Sequence, residues 1–437
     1  MHCNSPEHYN RRTILKAAGL SGLSWLTPVA TSLARAQETD KQNGGKRPKS
    51  LIVLWMEGAP SQLETFDPHP NTEIAAGSKA IKTNAPGIML GEGLEQTATQ
   101  MDSISLIRAL TSKEGDHERA IYNVKTGYRM DPTLVHPSIG SIICHQLTDA
   151  AGSTIDIPRH VSILPGQQPA RGGYLGDSYD AFKVFDPLNS IPDVKARVEK
   201  DRQKQRLADL QHMDKRFLAS RGNNQILKGK LGNHNLDAAL KMMASDQLAA
   251  FDVSKVPMSV REPFGDTPFG RSCLAAIQLI QSGVRCVEVT LGGWDTHVNN
   301  HELQGNRIKI LDPAFASLIR ELKQRDLLDT TMVVCGGEFG RTPWLNGLGG
   351  RDHWPHGFSI AMAGGGVQGA RVIGESSPTP EKGSKTPSKF LKDANPIENV
   401  HATILNRLGI DYSQELQTPI GRPLKICEGE PIDDLFS

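Results

Sequence analysis

The sequence predicts a three-layer α/β sandwich: a central, mostly parallel sheet with helices on both faces and one inserted lobe. Three observations carry that expectation. Short apolar, β-branched runs recur at residues 51–56, 284–290 and 331–335, and each runs on into a glycine. Helical patterns alternate with strands in the second half, and such alternation needs crossovers that cover both faces of a sheet. Polar clusters rich in carboxylate and imidazole come immediately after the strands, where a parallel sheet releases its side chains at one rim.

The N-terminal segment is set apart from the fold. Asn10-Arg11-Arg12-Thr13-Ile14-Leu15-Lys16 leads into a modestly apolar stretch and then Ala34-Arg35-Ala36, the pattern of a cleaved twin-arginine signal peptide spanning 1–36. A membrane span is disfavoured by Pro28 and by the short apolar length. The expected location is periplasmic or secreted, with the Tat translocase as the partner during export. Residues 37–49 are polar and read as a disordered lead-in, and 50–437 form the folded domain.

Within that domain, 51–56 is the first central strand, stopped by the turn Glu57-Gly58-Ala59-Pro60-Ser61. A second strand at 104–107 precedes a helix at 116–126 that Gly127 closes. From about 166 to 256 the composition shifts to Gly, Asp and then a charged helix at 194–221 with Asp193 as its cap, which marks the inserted lobe. A helix at 273–282 feeds the strand 284–290. Asp312 as N-cap and Pro313 in the first turn open a helix with Phe315, Leu318, Ile319 and Leu322 on one face. Strands follow at 331–335 and 358–363, then a turn at Gly364-Gly365-Gly366 and a helix near 398–408. That glycine run lacks the lysine of a phosphate-binding loop.

A formal net charge of +1 gives no electrostatic reason to expect nucleic acid or an anionic membrane as partner. Cys144, Cys273, Cys286, Cys335 and Cys427 follow the leader; their odd number and unpaired spacing argue against a disulfide framework.

The chemistry lies in Gly292-Gly293-Trp294-Asp295-Thr296-His297, Gly336-Gly337-Glu338-Phe339-Gly340-Arg341 and Gly350-Arg351-Asp352-His353-Trp354. Any one polar residue there is explained by a surface loop. Together, Glu57, Asp295, His297, His301, Glu338, Asp352 and His353 suit a centre for one or two divalent ions, Zn or Mn first, with Mg or Ca where oxygen dominates. Two such ions can hold the attacking and leaving oxygens of a phosphoryl or sulfuryl group. Arg341 and Arg108 are the candidate anion clamps.

The segments LIVLWMEGAPSQLETFDPHP, GDHERAIYNVKTG, GGWDTH, GGEFGRTP, GRDHWPHGFSIAMAGGG and GRPLKI together resemble the exported bacterial family catalogued as domain of unknown function 1501. That family is in turn similar to the alkaline phosphatase and sulfatase superfamily. The resemblance implies an alkaline-phosphatase-like sandwich and a metal-dependent hydrolase of phosphate or sulfate esters, with a small-molecule or polysaccharide ester as substrate. It also implies first-strand metal ligation at Glu57, ligation at Asp295 with His297 or His301 as imidazole, Glu338 with one imidazole lost at Phe339, and a final ligand at His353. At the superfamily's nucleophile position stands His117 rather than Ser or Thr, so His117 becomes a nucleophile, a ligand or a general base; Ser61 and Thr111 are the nearby hydroxyls. No Cys or Ser occurs in the context that formylglycine sulfatases need. A non-catalytic exported binding or surface-assembly protein that keeps the fold is the alternative.

Overall fold

Nine strands build the central sheet of the computed structural model, which describes residues 50–147, 155–189, 191–195, 197–220, 234–384 and 386–437. The segments expected to be a signal peptide and a lead-in lie outside the described residues. The strands used below are β1 (Ser50–Glu57), β2 (Ile104–Thr111), β3 (His160–Ile163), β4 (Phe182–Val184), β5 (Cys286–Gly292), β6 (Thr331–Gly336), the short β7 (Gly340–Arg341) and β8 (His353–Trp354), β9 (Phe358–Ala363), β10 (Val372–Ile373) and β11 (Asn395–Pro396). The sheet order is β10-β2-β9-β6-β1-β5-β3-β4, with β11 also on β2.

β1 is central because it can be: it is apolar on both faces, and it pairs in parallel with β5 on one side and β6 on the other. Its two-residue period divides the core. Ile52, Leu54 and Met56 face α4 (Pro268–Gln281) and α5 (Asn300–Gln324), whereas Leu51 and Val53 face α2 (Ile139–Gln146) and α6 (Ile397–Arg407). β9 is antiparallel to both β6 and β2. No helix separates β6 from β9, so the chain has no crossover with which to re-enter the sheet in parallel.

α1 (His117–Thr126) begins at Asp116, whose carboxylate accepts the Arg119 amide at 3.3 Å, and ends at Gly127 with φ 77°. Two local expectations give way to tertiary context. Asp312 and Pro313 lie inside α5 rather than at its start. The Asp312 carboxylate instead accepts the Gln96 and Thr97 amides at 3.0 and 2.7 Å and so caps the short helix Glu95–Ala98. The charged helix, α3 (Lys200–Ser220), starts later than its sequence pattern suggests, and Asp193 pairs with Arg197 instead of capping it. Within 166–256, β4 joins the edge of the main sheet while α3 is exposed along most of its length. No helix among the described residues is long and apolar enough to cross a membrane.

A buried ion pair below the rim fixes the loops that follow. Arg351 is fully buried and donates to Glu64 Oε1 from Nε at 3.2 Å and from Nη2 at 3.1 Å. Its other N–H groups reach the carbonyls of Thr342, Pro343 and Ile74 at 3.0, 2.6 and 2.9 Å. Burial pushes the Glu64 carboxyl up, but His301 at 3.0 Å and Arg351 outweigh it and hold the pKa down at about 2. A depressed carboxyl contributes stability that is complete above its ordinary value of 4.5 and is lost as pH falls through 2. In urea melts, the wild-type midpoint is expected to fall more steeply between those two pH values than that of Glu64→Gln, which starts lower. Parallel pH curves would refute this role for Glu64.

Candidate metal centre

Two glycines allow the rim loops to meet. Gly58, at φ 105°, ends β1, and a Cβ there would sit 2.6 Å from the Asp295 amide nitrogen. A Cβ on Gly350 would lie 1.9 Å from the His297 carbonyl carbon. The β7–β8 hairpin is stitched to the loop after β5 by the Arg351 amide on Thr296 O at 3.0 Å and the Asn346 amide on His297 O at 3.0 Å.

On that scaffold His117, Asp295 and His353 bring ligand atoms within 4.8 Å of one another. His117 Nε2 stands 3.4 Å from Asp295 Oδ2, and His353 Nε2 stands 3.5 Å from Asp295 Oδ1. His297 Nε2 joins them, 3.1 Å from Asp295 Oδ1 and 3.0 Å from His353 Nε2.

The outer nitrogens decide what the inner ones offer. His117 Nδ1 is 2.7 Å from Glu338 Oε1, His297 Nδ1 is 2.8 Å from Asp352 Oδ1, and His353 Nδ1 is 2.8 Å from the Gly115 carbonyl. Carbonyl and carboxylate oxygens only accept, so each Nδ1 carries the proton. All three rings then turn Nε2 inward, the arrangement in which outer acceptors orient metal-binding histidines. His297 Nε2 and His353 Nε2 face each other at 3.0 Å, a spacing that either a shared proton or a metal cation accommodates. His117 Nε2 and Glu338 Oε2 are buried and lack hydrogen bonds among the described residues. The donor set fits a divalent ion.

The carboxylates around His117 also favour its protonated form, and an ion held at Nε2 would take that proton's place. Burial alone would lower the His117 imidazolium, but the carboxylates of Asp295 and Glu338 beside it raise the pKa to about 9. Burial raises the Asp295 carboxyl, yet His117, His353 and Arg341 together hold it far below the usual carboxylate range. The hydrogen bond from His297 outweighs a smaller opposing effect of burial and leaves the Asp352 carboxyl lowered as well. Phe339 floors the cluster, its ring centroid 5.0 Å from that of His117 and 4.7 Å from that of His353.

Other sequence candidates stand elsewhere. Glu338, fully buried, accepts the Gly58 amide at 2.9 Å and steadies His117 rather than facing the ligand space; Asp352 does the same for His297. Glu57 Oε1 accepts the Gln167 amide at 2.9 Å, so its carboxylate holds the loop after β3. His301 is bound to Glu64 and to Ala76 O at 3.1 Å. Arg108 donates to Phe66 O and Met89 O at 2.9 and 2.8 Å and pairs with Asp67, away from the cluster. Arg341 is not a free anion clamp. It is fully buried and donates to Asp295 at 2.7 Å, Ala59 O at 2.9 Å, Arg351 O at 3.2 Å and Gly58 O. Ser61 is wholly buried beneath the turn.

The family model described as "Protein of unknown function (DUF1501)" matches residues 48–436. The chain belongs to this family. No curated protein matches this member of the DUF1501 family. Among solved structures it is similar to the PsFucS1 sulfatase from Pseudoalteromonas sp., with 10% identity, a TM-score of 0.39 and coverage of 93% of this chain and 75% of that one. It is also similar to the lipoteichoic acid synthase LtaP from Listeria monocytogenes, with 9% identity, a TM-score of 0.38 and coverage of 86% and 78%. A third is the alkaline phosphatase of the Antarctic bacterium TAB5, with 13% identity, a TM-score of 0.30 and coverage of 75% and 95%. Likenesses this distant lend no chemistry to the DUF1501 chain, whose site is read from its own residues.

Proposed function

We propose that this DUF1501 protein is an exported, metal-dependent hydrolase of phosphate or sulfate esters. The observation that carries the proposal is the convergence of three Nε2 atoms on the Asp295 carboxylate, with His297 and His353 facing at 3.0 Å. His117, Asp295, His353 and His297 would hold the ion. A divalent ion there supplies Lewis acidity to an ester oxygen and makes water a stronger acid.

The chain's own residues orient and expose. Glu338, Asp352 and the Gly115 carbonyl keep a proton on each Nδ1 atom, so that Nε2 is the nitrogen each ring would offer to an ion. Arg341 pins Asp295 from the buried side. Side-chain exposure of 45% at Asp295 and 44% at His297 leaves the cluster open to an incoming ester, whereas a purely structural site is closed on all sides. With Nδ1 tied to Glu338, His117 serves as a ligand rather than a nucleophile, and the attacking oxygen comes from solvent water. Export rests on the Arg11-Arg12 leader.

Protein purified without a metal-affinity tag is expected to carry close to one equivalent or more of a transition metal by elemental analysis. It is expected to hydrolyse at least one of nitrophenyl phosphate, bis-nitrophenyl phosphate and nitrophenyl sulfate. Less than about half an equivalent of metal, with no turnover after Zn or Mn is added back, would sink the proposal.

A further inference from the structure

A recess of about 770 Å³ opens along α1, within the ~300–1,000 Å³ usual for small-molecule sites. One wall is the α1 face bearing Glu118, Ile121, Tyr122 and Lys125, spaced so that they share one side of the helix. The opposite wall is the loop bearing Gln167, Gln168 and Arg171. Met130 and Val135, 41% and 51% exposed, form an apolar lip.

Both walls of the recess are tied to the candidate metal centre through the chain. α1 starts with His117 itself. The loop rests on Glu57: the Gln167 amide donates to Oε1 at 2.9 Å, and Gly166 lies so close that a Cβ would fall 2.0 Å from Oε2. The next residue, Gly58, donates to Glu338. A substrate whose ester sits at the cluster would reach the recess by extending along α1.

The walls select the chemistry of that part. The side-chain amides of Gln167 and Gln168, the Arg171 guanidinium and the Glu118 carboxylate make no hydrogen bond or ion pair among the described residues. Lys125 is engaged: Nζ donates to Glu288 at 2.9 Å and Gln168 O at 2.8 Å and lies 4.9 Å above the Trp55 ring, so it is no anion receptor. Each amide both donates and accepts, and hydroxyl groups do the same. A fatty chain would bury these amides, the guanidinium and the carboxylate without partners, which is costly. A polyanion would meet Glu118 and Asp131 beside the single free cation, Arg171, among the described lining residues.

We propose that this recess binds a polyhydroxylated leaving group, a sugar unit of the ester, with Met130 and Val135 under its C–H face and Glu57 as a positioning residue for the loop. The ester linkage rests on the hydrolase proposal; the sugar binding does not. The test uses an array of unesterified mono- to hexasaccharides, with fatty-acyl and nucleotide spots beside them, probed with full-length wild type, Arg171→Ala and Gln168→Ala. Wild type is expected to be retained on at least one glycan series, and both variants, melting as wild type does, to lose about tenfold or more of that affinity. No glycan retention, retention untouched in both variants, or retention on acyl or nucleotide spots alone would overturn it. Nitrophenyl ester turnover by the same wild-type preparation reports separately on the hydrolase: inactive protein that holds glycans leaves the recess standing, and active protein that ignores them removes it.

Discussion

Asp295→Ala is expected to empty the metal centre and to take ester hydrolysis down by more than the ~10–100-fold that loss of an outer partner of a ligand costs. Its carboxylate is the one group that touches the whole cluster, lying 3.4 Å from His117, 3.1 Å from His297 and 3.5 Å from His353. Without it, three inward Nε2 atoms remain beside the buried Arg341 cation, which repels an ion that no carboxylate now helps to hold. Elemental analysis, nitrophenyl ester turnover and a thermal melt on one preparation separate loss of metal from loss of fold. Asp352→Asn sets the scale: this 54%-exposed side chain touches His297 at 2.8 Å and no ligand space, so it should weaken metal binding by the outer-partner factor of ~10–100. Wild-type metal content in Asp295→Ala would remove the centre as described.

The degree to which the sequence revealed this site follows from where each signal is stored. Asp295, His297 and His353 were legible because each follows a strand or a glycine turn, and a parallel sheet delivers such positions to one rim. His117 follows no strand directly; it opens α1, and only the resemblance pointed to it, since nothing in the local pattern says that Glu338, itself held by the Gly58 amide, will meet it across the chain. Glu57 shows the converse limit. It occupies the expected strand end, but whether a carboxylate turns toward the cluster or toward the Gln167 amide depends on a loop more than a hundred positions away. The fold was more legible than the site, because β1 is apolar on both faces and helix alternates with strand. Asp312-Pro313 misled for a related reason: a local helix-start signal served to cap another helix, and α5, packed by Leu311, Phe315 and Leu318, accommodated the proline in its interior.

Arg341→Met is expected to cost about 3–5 kcal/mol of stability, the range for breaking a buried charge from its partners. Position in a turn after a strand made this arginine look like an anion clamp, but burial reverses that role. Its guanidinium is fully enclosed and reaches Ala59 O at 2.9 Å, Arg351 O at 3.2 Å, Gly58 O and Asp295 at 2.7 Å. A methionine fills similar space but leaves those carbonyls without a donor and Asp295 without its counter-charge. Arg341→Lys should recover little, because one ammonium cannot reproduce a planar fork that spans four acceptors. The turn at Gly58 would then relax, and the Gly58 amide would leave Glu338, so metal affinity should fall together with the urea midpoint. A clamp predicts the opposite pair of results: stability within ~0.5 kcal/mol of wild type, as for surface changes, and weaker inhibition by free phosphate. The urea midpoint decides between them, because only a guanidinium that holds the β1 turn to the β7–β8 hairpin couples the stability of the fold to the shape of the centre.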